Sequence, residues 1–178
     1  MTGVQTCALP IWFTARLPRD PQATQAGQRL GRDDAAAALR ARHAGARLLL
    51  AEDNPVNAEV AQALLTDVGL VVDVAHDGQM AADMALQGDY RLVLMDMQMP
   101  RMDGLGACRA IRRERTAAQL PVLAMTANAF AEDRARCTEA GMDDFLSKPV
   151  DPADLYRLLL HWLDRGPPAS TPGTAATA

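Results

Sequence analysis

From Arg47 to Leu163 short apolar runs alternate with segments of helical period. Arg47-Leu48-Leu49-Leu50-Ala51, Leu70-Val71-Val72-Asp73-Val74-Ala75, Leu92-Val93-Leu94-Met95, Pro121-Val122-Leu123-Ala124-Met125 and the short Phe145-Leu146 read as strands. Between them, Val56, Val60, Leu64 and Val68 recur at four-residue steps and mark one apolar face of a helix, which Gly69 stops. Asp77 can cap a second helix carrying Met80, Met84 and Ala85. A third follows Asp103-Gly104, with Leu105, Cys108 and Ile111 inward and Arg109, Arg112 and Arg113 outward. A fourth spans about 129–140 and is closed by Gly141. The fifth carries Leu155, Leu158, Leu159, Trp162 and Leu163 at helical spacing. Five strands and five helices in strict alternation predict an α/β fold with a mostly parallel sheet.

The flanks differ in composition. Residues 19–45 are rich in Ala, Gln, Arg, Gly and Asp and read as a linker; a short helix over 33–42 is conceivable, but nothing there could bury a face alone. The tail, 165–178, is broken by Gly and Pro and reads as disordered. The domain boundaries are therefore expected at 46 and 164. A net charge of −4 argues against nucleic acid, which selects a basic face. No apolar run approaches the ~20 residues of a membrane span, so no direct membrane contact and a cytoplasmic setting are expected. Cys7, Cys108 and Cys137 have no metal-like spacing and read as reduced thiols. His43, His76 and His161 are scattered and read as solvated or packing residues.

Charge usage points to the chemistry. Of the 18 Lys and Arg residues, Lys148 is the one lysine, behind the apolar pair Phe145-Leu146. Arginine's wide planar fork suits poorly a place where one compact cation sits between close oxygens. The other strands also end in reactive side chains: the first in Glu52-Asp53, the third in Asp96, the fourth in Thr126. In an open parallel sheet the functional crevice lies outside the carboxyl ends of the strands. Three carboxylates at one rim call for a cation, and hard oxygen donors suit Mg²⁺. With Mg²⁺ present, one carboxylate can act as nucleophile toward phosphorus, while Lys148 and the Thr126 hydroxyl hold phosphoryl oxygens. No nucleotide-cradling G-x-x-x-x-G-K-[ST] stretch occurs, so ATP is an unsuitable donor. Met95, Met97, Met99 and Met102 read as packing and loop residues, and Asn57 as a surface or local capping residue.

Four segments carry a resemblance: Leu49-Leu50-Ala51-Glu52-Asp53-Asn54-Pro55-Val56-Asn57, Leu94-Met95-Asp96-Met97-Gln98-Met99-Pro100-Arg101-Met102-Asp103-Gly104, Met125-Thr126-Ala127-Asn128 and Leu146-Ser147-Lys148-Pro149-Val150. Residues 46–164 resemble the receiver domain of bacterial two-component response regulators, in the form carried at the carboxyl end of hybrid histidine kinases. The resemblance implies a doubly wound, flavodoxin-like receiver fold. It implies Asp96 as phosphoacceptor, with Glu52, Asp53, Asp96 and the Gln98 backbone carbonyl around Mg²⁺. It further implies Lys148 as the phosphate-binding cation, Thr126 and Phe145 as switch residues, and a cis bond before Pro149. The implied partners are a histidine kinase phosphodonor and a histidine phosphotransfer protein or domain. Trp12-Phe13-Thr14-Ala15-Arg16-Leu17-Pro18 resembles the closing strand of a histidine-kinase ATP-binding domain, and residues 1–11 resemble a translated sequencing adapter. Two other classes compete. A phosphatase working through an aspartyl phosphate would commonly place an acid two residues after the nucleophile, where this chain has Gln98. A receiver-like docking module that is never phosphorylated would have no use for the intact acids, Thr126 and Lys148.

Overall fold

The computed structural model describes residues 32–127 and 131–165. The segments 1–18 and 166–178, and 19–45 before Arg32, lie outside the described residues. Five strands, β1 (Arg47–Ala51), β2 (Val71–Ala75), β3 (Leu92–Asp96), β4 (Val122–Thr126) and β5 (Asp144–Ser147), form one fully parallel sheet in the order β2-β1-β3-β4-β5. The helices are α1 (Arg32–Arg42), α2 (Pro55–Asp67), α3 (Gly78–Gln87), α4 (Gly104–Arg112), α5 (Ala131–Ala140) and α6 (Pro152–Arg165). The expected sheet is present with its five helices, four of them crossovers and α6 after β5, and one further helix precedes them. The central strands β3 and β4 are buried throughout, which explains why they read as continuous apolar runs rather than alternating ones.

The core has two layers, one on each face of the sheet. One contains Leu48, Leu50, Leu94, Leu123 and Leu146 under α2, α6 and α1; the other contains Leu49, Val93, Met95 and Ala124 under α3, α4 and α5. Successive strand residues point to opposite faces, so Leu48 and Leu50 serve one layer and Leu49 the other.

Three expectations are corrected. On α2 the expected stripe faces the core only at its end, where Leu64 packs on it and Val68 is buried: Val56 is 66% and Val60 56% exposed, while Ala58, Ala61 and Leu65 are buried. Alanines let the helix axis approach the sheet closely, which leaves the two valines outside. On α4, Leu105, Cys108 and Ile111 do point inward, but Arg112 does not point out to water. Its guanidinium donates to the carbonyls of Gly141 (2.7 Å) and Leu120 (2.8 Å) and pairs with Asp143 at 2.6 Å. Asp143 also accepts the Val122 amide at 2.8 Å, so the pair ties α4 to the entry of β4 and β5. Burial pushes the Asp143 carboxyl upward, against the pull of the Val122 amide and of Arg112.

The third correction concerns the span read as linker. Within it, α1 lies along α6 and buries Ala35, Ala36 and Leu39. Alone the helix has no partner for that stripe; the apolar face of α6, with Leu155, Leu159 and Leu163, supplies one. His43 Nε2 lies 2.7 Å from Asp164, which also pairs with Arg42, and Arg40 pairs with Asp67. The two arginine pairs are exposed enough to add little beside the apolar contact.

Leu39→Ala is expected to lower unfolding stability by about 2–5 kcal/mol, as for other fully buried leucines. Removing residues 1–45 should lower the thermal midpoint further. A denaturation curve for the shortened chain that superposes on the full-length one would show that α1 contributes nothing to the fold.

Candidate functional site

The order β2-β1-β3-β4-β5 reverses direction at β1, so the crevice lies at the carboxyl ends of β1 and β3. Glu52 and Asp53 follow β1, Asp96 ends β3, Thr126 ends β4 and Lys148 follows β5. The register sets Asp96 beside Met125 and Thr126 beside Ser147, which keeps the strand ends level at one rim. They line a cleft of about 820 Å³ together with Gln98, Asp103 and Arg136.

Lys148 spans the cleft floor. Its Nζ lies 2.6 Å from Glu52 Oε2 and 2.7 Å from Asp96 Oδ2. Both carboxylates are nearly buried, whereas Asp53 is exposed at the mouth. One carboxylate oxygen each from Glu52, Asp53 and Asp96 lie within 4.8 Å of one another. Burial pulls the Lys148 pKa down, but the hydrogen bonds and charges of Asp96 and Glu52 outweigh it and the net shift is upward. One ammonium against three carboxylates still leaves an excess of negative charge, the condition in which a hard divalent cation fits oxygen donors. The donor set therefore suits Mg²⁺ and contains no soft ligand.

Local structure holds each group. Asn54 caps α2 through the amides of Val56 and Asn57, so the helix begins directly after the acid pair. The Asp96 Oδ1 accepts the Gln98 amide at 3.2 Å, which bends the chain after β3. Gly104 starts α4 against β3's end: a Cβ there would sit 2.2 Å from the Asp96 carbonyl oxygen. The Lys148 amide donates to the Thr126 carbonyl at 2.7 Å, and the Lys148-Pro149 bond is cis as expected. Thr126 is buried at the rim. Phe145 is half-buried, with the Arg134 guanidinium 4.0 Å from its ring centroid. Asn128 of the fourth-strand segment lies outside the described residues.

Asn57 was read as a surface or capping residue; its Nδ2 donates to Glu52 Oε1 at 3.0 Å. Glu52 is thereby gripped on both oxygens, by Asn57 and by Lys148. The signal was present in the spacing, since Asn57 lies in the first turn of α2, five residues after Glu52, and faces back toward it. Arg136, on α5, had no sequence signal because its approach to the cleft depends on the placement of that helix. Of the two described cysteines, neither joins the site: Cys108 and Cys137 are buried, and burial pushes the Cys108 thiol up to about 11.

Comparison with known proteins settles the family. The model of the response regulator receiver domain matches residues 48–160. The chain belongs to that family. Its receiver domain is 41% identical over 119 residues to the sensor protein GacS of Pseudomonas syringae, covering 65% of this chain and 13% of that protein. The receiver domain of the sensor histidine kinase PA1611 from Pseudomonas aeruginosa superposes with a TM-score of 0.64 at 42% identity, covering 68% of this chain and 99% of that one. That structure carries a magnesium ion coordinated in its active-site cleft. A third likeness is the Saccharomyces cerevisiae receiver of Ssk1, solved with the histidine phosphotransfer protein Ypd1 (TM-score 0.62, 26% identity, 67% of this chain and 89% of that one). The receiver spans about an eighth of the length of GacS. No described helix is long and apolar enough to cross a membrane.

The upward shift of Lys148 fixes a pH dependence. The fold favours the charged ammonium, so its contribution is whole below the unfolded lysine pKa of about 10.4 and is lost as pH climbs through the higher folded value. Measured without divalent cation, the stability gap between wild type and Lys148→Met should be constant near neutrality and shrink above about pH 10.4. A gap that stays constant to the top of that range would mean the ammonium does not stabilise the fold through these contacts.

Proposed function

We propose that Asp96 accepts a phosphoryl group from a phosphohistidine in a Mg²⁺-dependent reaction, as a relay or switch in a two-component phosphorelay. The observation that carries this reading is the single buried-side ammonium bridging Glu52 and Asp96, with the Asp53 oxygen close by. Glu52, Asp53 and Asp96, with the Gln98 carbonyl, would hold Mg²⁺, which when bound offsets the charge building on the phosphoryl oxygens. The Asp96 carboxylate is oriented by Lys148 on one oxygen and the Gln98 amide on the other. It attacks phosphorus; the new P–O bond forms as the P–N bond breaks, and the imidazole leaves neutral with the proton on its other nitrogen. Lys148 then exchanges a carboxylate for a phosphoryl oxygen and the Thr126 hydroxyl takes another. With Thr126 drawn inward, Phe145 follows as the switch aromatic.

The donor and acceptor are a histidine kinase, in the same parent chain or another, and a histidine phosphotransfer protein or domain. The likeness to a receiver solved against such a protein supports this, and so does the surface. Val56 and Val60 stand exposed on α2 beside an apolar hollow of about 430 Å³ walled by Val60, Ala61, Met125, Pro149 and Val150. The same hollow reaches Glu52 and Lys148, so a helix laid on the valines brings its histidine to the acids. We infer a hybrid histidine kinase as the parent protein, acting in the cytoplasm, with 12–18 as the kinase-like part of the segment 1–18.

Incubation with a small phosphodonor and Mg²⁺ should give a base-labile adduct that Asp96→Asn abolishes. Rapid turnover of the donor would indicate a phosphatase, and no adduct at all a docking module. Lys148→Arg should disable the switch almost as fully as Lys148→Ala, because the planar fork reaches the phosphoryl oxygens only by displacing a neighbour. The readout is the shift of the Thr126 and Phe145 amide resonances with a phosphate mimic and Mg²⁺; full wild-type shifts in the arginine variant would show that any cation suffices. Val60→Asp should slow transfer from a phosphorylated histidine phosphotransfer protein far more than labelling by the small donor, and equal slowing of both would remove α2 from the docking surface.

A further inference from the structure

We propose that Asp77 and Arg101 form a clamp that positions the β3–α4 loop against the acid cluster and so sets the affinity of the site for its divalent cation. The proposal rests on the phosphoacceptor reading and adds two positioning residues to it, neither of which lines the cleft.

The loop, residues 97–103, carries Gln98 and runs from Asp96 to Asp103, the N-cap of α4. Among the described residues, Arg101 is the one non-glycine with a positive φ, at 64°. A side chain with a Cβ adopts that conformation only where its surroundings hold it. Two contacts hold it: the Met102 amide donates to the Pro100 carbonyl at 2.7 Å and closes a tight turn around Arg101, and the Arg101 guanidinium pairs with Asp77 Oδ2. Asp77 cannot follow Arg101 if the loop moves. Its side chain is 3% exposed, and its other oxygen accepts the Met80 amide at 2.8 Å as the N-cap of α3. Arg101 itself is 72% exposed, so the pair joins a fixed anion to a loop that water would otherwise leave free to relax.

Beside the pair the two backbones touch. A Cβ on Gly78 would lie 2.1 Å from the Met102 carbonyl oxygen, so the outer limb of the loop rests directly on the first turn of α3. The inner limb is tied separately: the Met97 amide donates to Met125 (3.1 Å), the Gln98 amide to Asp96 (3.2 Å) and the Gly104 amide to Met97 (3.2 Å). Gln98 lies between these two anchors. Release of Arg101 would let its φ return to the ordinary negative range and swing the chain on either side, and Gln98 is three residues away. The Gln98 amide bond to Asp96 sits at the long end of the hydrogen-bond range, so it cannot fix the loop alone.

The test uses the full chain and three substitutions. Asp77→Asn keeps a capping oxygen for Met80 but removes the anion. Arg101→Ala removes the guanidinium while keeping a Cβ at positive φ, and Arg101→Gly removes both the guanidinium and the steric demand. Mg²⁺ affinity is measured by calorimetric titration, and the thermal midpoint is measured with Mg²⁺ chelated. Asp77→Asn and Arg101→Ala should each weaken Mg²⁺ binding roughly tenfold, the range in which supports of metal ligands act. The double variant should be no weaker than either single one, and Arg101→Gly should fall between Arg101→Ala and wild type. Mg²⁺ affinities within twofold of wild type, even with a lowered midpoint, would make the pair a purely structural contact and overturn the clamp; Arg101→Ala, at an exposed position, keeps this decision open if Asp77→Asn fails to fold. A wild-type chain that binds no Mg²⁺ and accepts no label at Asp96 would overturn the phosphoacceptor reading, and the clamp with it.

Discussion

The reach of Lys148 across the sheet is the interaction on which the site depends. Its backbone follows β5, two strands away from β3 and three from β1. Its amide donates to the Thr126 carbonyl at the end of β4 (2.7 Å), which brings the backbone inward, and from there a long side chain is needed to reach the acids. The four-carbon stem does so and places one ammonium between Glu52 and Asp96. Without it, buried carboxylates from adjacent loops would face each other uncompensated. With it, the acids are held close enough together to bind a divalent cation and present a nucleophile.

The remainder of the molecule keeps that rim level. A fully parallel sheet with buried central strands delivers its carboxyl ends to one side, and the two core layers fix the strands in register. The Arg112–Asp143 pair closes the opposite end, binding α4 to the starts of β4 and β5. Helix α1 covers the apolar face of α6, and the Asp77–Arg101 pair lies where the loop after Asp96 meets α3.

How legible this was in the sequence depended on range. The strands were plain because β3 and β4 are apolar on both faces, and their ends were plain because Asp96 and Thr126 break those runs abruptly. The Lys148 site was legible because a chain that otherwise writes its cations as arginine keeps one lysine. The start of the α2 face was not legible because the pattern gives weight to large residues: Leu64 and Val68 do pack on the core, but Ala58 and Ala61 face the sheet since small side chains allow close approach, and Val56 and Val60 are left outside. The partner of α1 lies far along the chain in α6, so a local pattern could show a possible helix but not its burial. Arg112 looked outward by period alone, and only the carbonyls of Leu120 and Gly141 and the Asp143 carboxylate reveal its role. The backbone of Arg101 left no trace in composition, since nothing in the residue type announces a positive φ.

The most direct test of the account is reductive trapping of the phosphorylated chain. An acyl phosphate on aspartate is cleaved by borohydride to homoserine, and peptide mass spectrometry then locates the altered residue. After treatment with a phosphodonor and Mg²⁺, homoserine should stand at position 96 and nowhere else. Conversion at Asp53, an analogous reduction at Glu52, or none at any carboxylate in a chain that has taken up phosphate, would contradict it.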